Sequence, residues 1–322
     1  MTKRLASQRL ISRIGLSLGM LFASATLTFL AVRMMPGDPA TIILGGAMAN
    51  PTPGAVAAIT KEYGLDRPLI VQYGFYIWRL LHGDLGISFS QHLHVAEVLR
   101  QQMLPTLALA SLSLFLAWAL ALVSVFCTVR RGRVLSSLGA SLDISAAALP
   151  PFWLGIVLLW IFAFRLHLLP PAGSSSLASL IMPALSLAIP LGGFLAQVTR
   201  ESMEIALDQP FILSARMRGL SMGQVLRRHA LRHALLPGIA LSAWALGALL
   251  GETAVIEAIF SRKGLGRTLV YAVSAQDMPL TTGIVLFVTV AYILASLVIE
   301  IIHELVDPRL ATSRRRSASL WL

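Results

Sequence analysis

Side chains able to do chemistry are few in this chain, and they sit in a handful of places. Three carboxylates, Glu252, Glu257 and Glu300, interrupt apolar runs. An ionisable group in such a run faces a cavity or a partner. Each therefore reads either as part of a polar pathway or as a helix-packing group paired with an arginine. His92 and His94 stand two residues apart and carry ligand atoms, but a zinc site needs more donors and no third lies nearby. They read as ordinary loop residues. Ser296, Glu300 and His303 share one face near a helix end, with no oxyanion-forming loop to make a nucleophile of the serine. No G-x-x-x-x-G-K-[ST] loop occurs, so the chain has no backbone cradle for nucleotide phosphates. The single cysteine, Cys127, excludes an intrachain disulfide and, lying in an apolar run, reads as a buried inert thiol. Asp143 reads as a cap or anchor of a helix. No catalytic residue, metal site or cofactor is expected.

The most telling stretch is polar and basic, from Arg200 to Pro237. It includes Ser214-Ala215-Arg216-Met217-Arg218-Gly219-Leu220-Ser221 and ends in Arg227-Arg228-His229-Ala230-Leu231-Arg232-His233. Each charge at mid-bilayer costs roughly 2.5–3.5 kcal/mol even on the mildest scale. The stretch therefore lies in water between two apolar spans, where it presents a surface to another protein. A short helix over Phe211–Met217 is expected, with Gly219 at its C-terminal turn and Ser221 capping a second helix.

The elements that hold these residues are set by composition. The 322 residues are 56% hydrophobic and 13% charged, with a mean hydropathy of +0.76. Soluble domains carry about 25% charged residues, so this is a polytopic all-α membrane protein. Spans of about 20 apolar residues are expected at Ile14–Val32, Leu104–Val129, Leu138–Phe164, Leu177–Val198, Leu235–Phe260 and Leu280–Ile302. Pro150-Pro151, Pro183 and Pro190 free backbone carbonyls, so their helices should face protein more than lipid. The first span follows a basic tail but has no small-x-small cleavage site, and it reads as a retained helix.

The net charge of +11 does not signal nucleic acid, because the basic residues fall in short clusters between apolar runs without interleaved aromatics. Seventeen of the 26 Lys and Arg fall in the N-terminal tail, the 130–133 loop, the 200–233 loop and the C-terminal tail. By the positive-inside rule both termini are cytoplasmic, and the loop from Pro36 to Arg100 is external.

With the Arg200–Pro237 loop, further segments recur in order. They are Pro36-Gly37-Asp38-Pro39, Gly64-Leu65-Asp66-Arg67-Pro68, Gly83-Asp84-Leu85-Gly86-Ile87-Ser88, Glu252-Thr253 through Glu257-Ala258-Ile259-Phe260, Gly264-Leu265-Gly266-Arg267, and Asp307-Pro308-Arg309. Together they resemble the permease subunits of binding-protein-dependent ABC importers, in the dipeptide/oligopeptide/nickel branch. The chain departs from that pattern at Asp208-Gln209-Pro210-Phe211-Ile212, where the family has Asp-Tyr-Val, and at Ser296 and Glu300, where it has Asn and Asp. His229 belongs to the family pattern, so it is not assigned with His233 to zinc.

The resemblance implies a type I importer permease (MetI-like) fold of about six transmembrane helices in a bacterial inner membrane. It divides the chain into a tail (1–13), a first helix (14–33), an external region (34–101), a core (102–310) containing a coupling loop (199–235), and a basic tail (311–322). It implies that Phe211, Ser214, Ala215, Arg216, Arg218, Gly219, Leu220 and Ser221 dock on an ATPase. Phe211, Ala215 and Leu220 would give apolar contact; Arg216 and Arg218 would give charged hydrogen bonds. For Arg227, Arg228 and Arg232, contact with lipid phosphate stands equally with contact to the ATPase. The partners implied are a second homologous permease, two ATP-hydrolysing subunits and an external solute-binding protein. The solute expected is a di- or oligopeptide, with nickel complexes or opine-like compounds as the alternative. An ion-coupled secondary transporter would be expected to show inverted repeats, and none is evident.

Overall fold

The computed structural model describes residues 2–34, 37–44, 51–62, 64–174 and 176–306. The described residues are 80% helical, and among them the isolated pairing in extended geometry joins Ile87 to His94. The helices, in order, are α1 (Thr2–Met34), α2 (Pro39–Ile43), α3 (Pro53–Glu62), α4 (Leu69–Leu81), α5 (Val95–Thr128), α6 (Arg133–Ala147) and α7 (Pro151–Leu158). They continue with α8 (Ala178–Leu207), α9 (Pro210–Met217), α10 (Met222–Val225), α11 (Leu231–Ile259), α12 (Leu265–Ser274) and α13 (Met278–Val306). Wider π-type turns extend α7 over Leu159–Arg165 and join α10 to α11 over Leu226–Ala230. Pro36 and the Asp307-Pro308-Arg309 segment lie outside the described residues.

Among the described residues, five stretches are long and apolar enough to cross a membrane: Gly15–Met34, Val95–Thr128, Ala178–Leu207, Met222–Ile259 and Met278–Ile299. The region of one further expected span is broken. The straight span expected over Leu138–Phe164 is instead two helices, Arg133–Ala147 and Pro151–Arg165, bent by 97°. The cause is local: each residue preceding a proline is pushed out of the helical region, and Pro150 takes φ −65°, ψ 129°. Pro151 then starts α7 at the first helical position, where a missing N–H costs nothing. Pro183 and Pro190 behave differently, remaining inside α8. There the freed carbonyls are sheltered by neighbours: 61% of the apolar window of α8 is buried, against 17–33% for the other four.

The chain forms two compact units, and α5 passes from one to the other at Pro105. The first unit holds residues up to 105 and 263–293. Its core is Val95, Val98, Leu99, Leu265, Ala272, Leu280 and Ile284. Gly283 lets α13 lie directly on Val95, since a Cβ there would overlap the valine side chain. Asp277, fully buried, ties the unit together. It caps α13 through the Leu280 amide (3.1 Å) and accepts hydrogen bonds from the Ser88 hydroxyl (2.6 Å) and from the amide and hydroxyl of Ser90 (2.9 and 2.7 Å). Just before this staple, Asp84 folds the Gly83–Gly86 turn by accepting from the Gly86 amide (2.9 Å) and Arg79 Nε (2.8 Å). Those bonds hold its carboxyl below the ordinary range, with Arg79 the larger cause. Against α1, α4 packs Tyr73 and Tyr76 around Phe29, with ring centroids 5.2 and 5.3 Å away.

The second unit holds the described residues of 106–262 and 294–306. Its core joins α5 (Ala117, Ala121, Val125), α8 (Ala188, Leu195, Ala196, Met203) and the segment between α8 and α11 (Ile212, Ala215, Val225, Leu226, Ala230). Small residues set the helix spacing. A Cβ on Gly193 would lie 2.5 Å from the Asp143 carbonyl oxygen, and one on Gly238 would lie 2.5 Å from the Trp118 ring.

Candidate functional site

The polar segment between α8 and α11 folds as a tight hairpin whose ends are capped. Pro210 opens α9, after Gln209 in extended geometry. At the other end Gly219 adopts φ +83°, its amide donates to the Arg216 carbonyl (2.9 Å), and the Leu220 amide donates to the Ala215 carbonyl (3.4 Å). These paired reverse bonds are a Schellman closure, which glycine permits without strain. Ser221 then starts α10 with a capping box. Its hydroxyl accepts from the Gln224 amide (3.4 Å), and the Gln224 side chain accepts from the Ser221 amide (2.9 Å).

The hairpin has an inner and an outer face. Ile212 and Ala215 are buried in the core, and Leu220 packs on it. The outer face shows Phe211, Leu213, Ser214, Arg216, Met217 and Arg218, with Leu213 65% and Met217 82% exposed. Two expectations change accordingly. Ala215 makes its apolar contact inside the chain, because the 3.6-residue period turns it to the side of Ile212. Leu213 and Met217, passed over in the sequence, are the large exposed apolar groups of α9; their position opposite Ile212 and Ala215 is the signal that marks them. Phe211 packs against His233 with the rings tilted and 5.2 Å between centroids. Arg227, Arg228 and Arg232 are exposed on the following turns.

Below the hairpin, a buried ion pair fixes α8. Arg200 Nη2 lies 2.6 Å and Nε 3.2 Å from Asp143 Oδ2, while the Ser124 hydroxyl donates to Asp143 Oδ1 (2.6 Å). Both side chains are buried, with 8% and 6% exposed, so the pair is largely cut off from water. Asp143 is thus no helix cap. It anchors α6 to α5 and α8, and nothing in the neighbouring residues marks Arg200 as its partner. A second, exposed pair joins Arg130, after α5, to Asp208 at the entrance to the hairpin.

The remaining candidates separate. On α11, Glu257 is fully buried and accepts from the Thr106 hydroxyl (2.6 Å). Arg262 follows it, its amide bonded to the Glu257 carbonyl (2.8 Å). Burial pulls the Arg262 guanidinium down and the Glu257 carboxylate opposes that shift. Glu252 is exposed, on a stripe of α11 with Trp244, Gly251 and Val255. Glu300 belongs to α13, but its side chain is outside the described residues, as is that of His303. His92 and His94 are both exposed, His92 with φ 54°. Among the described residues, no three His, Cys, Asp or Glu side chains gather as metal ligands would. Cys127 is exposed, contrary to expectation. An apolar run in a spanning helix does not imply a protein-buried position, because one face meets lipid, here with Val123 also exposed.

Comparison with known proteins follows this geometry. Residues 114–312 match the family described as binding-protein-dependent transport system inner membrane component, and residues 7–110 match the N-terminal part of such components. A protein of Brucella abortus (strain 2308), provisionally named a peptide transport system permease, is 34% identical over 309 residues, covering 93% of this chain and 98% of the relative. The glutathione transport system permease protein GsiC of Salmonella typhimurium (strain LT2) is 34% identical over 287 residues, covering 88% and 92%. In structure, the chain is similar to one from the inward-facing MetNI methionine ABC transporter, with a TM-score of 0.54 at 19% identity over 65% of this chain and 96% of the other. The crossing helices, the capped basic hairpin between α8 and α11 and these matches agree: this chain belongs to the inner-membrane permease components of binding-protein-dependent ABC transport systems.

Proposed function

We propose that this chain is one of two homologous permease subunits that together form the pathway of a peptide importer, with α9 as the element that docks on an ATP-hydrolysing subunit. The observation that carries the proposal is the two-faced hairpin. Ile212 and Ala215 lock it to the bundle, while Phe211, Leu213, Ser214, Arg216, Met217 and Arg218 face outward with both apolar and cationic groups. Push on such an element moves α8 and α11 with it, since its core is theirs. Gly219 and Ser221 shape the hairpin, and Leu220 and Ala215 pack it. Hydrolysis then resides in two separate ATPase subunits. With both termini cytoplasmic by charge, the 34–101 region and the 262–279 segment face an external solute-binding protein.

Peptide is the solute class favoured by the relatives, whose names specify peptide and glutathione transport. The test has two arms. A photo-crosslinker at Ser214, exposed on α9, should capture an ATPase subunit in intact cells; absence of any such adduct sinks the docking site. Cells carrying the complete transporter should take up labelled di- or tripeptide in an ATP-dependent manner, and uptake of nickel complexes or opines alone would replace peptide as the solute.

A further inference from the structure

A cavity of about 460 Å³ lies in the first unit where the span of α1 ends, which is the level at which hydrocarbon gives way to headgroups. That volume falls in the range of about 300–1,000 Å³ typical of ligand pockets. Its described lining carries four cations, Arg33, Lys61, Arg67 and Arg79, against one carboxylate, Asp84. Asp84 is already engaged by Arg79 and the Gly86 amide. Among the described residues, no ion pair involves Arg33, Lys61 or Arg67. Arg33 bonds the neutral Gln72 oxygen, and its buried Nε has no hydrogen-bond partner there. Gln72 is itself fixed by the Leu65 and Arg67 carbonyls (3.1 and 2.7 Å), so that its oxygen is aimed at Arg33. A site with this surplus calls for an anion, and guanidinium groups suit phosphate oxygens.

The helix that lines this cavity also says what the anion is attached to. Gln72, Phe75, Tyr76 and Arg79 of α4 face the cavity. On the opposite side of α4, Ile70, Trp78 and Leu81 are 85, 59 and 79% exposed, and no residue of α4 is buried. An exposed apolar stripe with a tryptophan, opposite a polar face, is the pattern of a helix lying in the membrane interface. Because that stripe places α4 in the bilayer surface, the anions within reach of the cavity are those of lipid headgroups.

We propose that this cavity binds the phosphate headgroup of an anionic phospholipid, with α4 lying beside it in the bilayer surface. Arg33, Lys61 and Arg67 supply the charge, and Ile70, Trp78 and Leu81 meet the acyl chains.

The test uses the full chain in nanodiscs of phosphatidylcholine doped with equal minor fractions of brominated phosphatidylglycerol or brominated phosphatidylcholine. Bromine quenches tryptophan on contact, and the Trp78 share of the emission is the difference between wild type and Trp78→Phe. Phosphatidylglycerol should quench that share several-fold more strongly. Lys61→Gln, at an exposed position that leaves packing intact, should reduce the preference, and Arg33→Gln/Arg67→Gln should abolish it. Inorganic phosphate and triglutamate added to the aqueous phase should change nothing. Equal quenching by the two lipids overturns the proposal, as does a preference that survives the double variant. Displacement by phosphate or triglutamate would also overturn it, in favour of a soluble anion or an acidic segment.

Discussion

Asp143 and Arg200 are buried against each other and Ser124, which makes the loss of either partner expensive. Asp143→Asn or Arg200→Gln leaves a buried charge uncompensated, a change worth about 3–5 kcal/mol. Each variant should melt well below wild type in detergent, while Asp143→Leu/Arg200→Met should recover most of the loss. Additive losses in the double variant would contradict this account of the pair. Gly219 tests the opposite kind of effect, because open space surrounds the position and only its φ of +83° resists a side chain. A non-glycine residue there costs about 1–2 kcal/mol, least for asparagine. Gly219→Val should insert normally yet lose transport-coupled ATP hydrolysis, and Gly219→Asn should keep most of it. Full coupling in the valine variant would show that the turn is not needed for docking. The sequence made Gly219 and Ser221 legible because turns and caps are written in neighbouring residues. It left the partner of Asp143 unreadable, because Arg200 is 57 residues away and meets it only once α5, α6 and α8 have packed.

The elements were legible in proportion to how local their causes are. Five helices of crossing length followed from apolar runs, and a helix over Phe211–Met217 starts only one residue earlier, at Pro210. The break after Leu149 was not foreseen, although its cause is a dipeptide, since a lone proline bends a span and two in succession end it. The staple on Asp277 was missed in the same way: an aspartate just before an apolar helix is a cap signal, but the serines it gathers come from elsewhere in the chain. Asp277→Ala strips that cap and leaves the Ser88 hydroxyl without its acceptor, at about 1–3 kcal/mol. Amide exchange should quicken over residues 86–94 and in the first turn of α13; unchanged protection would remove the staple from the argument. The neighbouring turn carries a pH dependence with a definite sign. The Asp84 carboxyl is depressed in the folded chain, so its support is complete above the ordinary aspartate value near 3.9. That support fades as the pH falls through the lower folded value. Because the Arg79–Asp84 pair is half exposed, at 50 and 53%, the effect should stay under about 1 kcal/mol.

At the scale of the whole molecule, what the chain lacks in its own surface points to company. Glu252, Gly251, Trp244 and Val255 form an outward stripe on a spanning helix. A carboxylate left facing lipid there would cost about 2.5–3.5 kcal/mol. If a second permease shares the pathway as proposed, it relieves that cost; cysteines at Val255 and on that partner should then crosslink, and Glu252→Leu should insert normally but impair uptake. Normal uptake by that variant would leave Glu252 without a role in the pathway. Glu252 marked a face unsuited to lipid in the sequence, but which neighbours share its stripe could not be read from residues 235–260, whose other positions are almost all apolar. Cys127 offers a way to watch the assembly work. It is the chain's one thiol, it is reachable from outside the fold, and three residues further on Arg130 grips Asp208 at the hairpin's entrance. If the hairpin moves with nucleotide as proposed, a spin label or fluorophore attached there in the native sequence would report that displacement, with no engineered substitution anywhere in the chain.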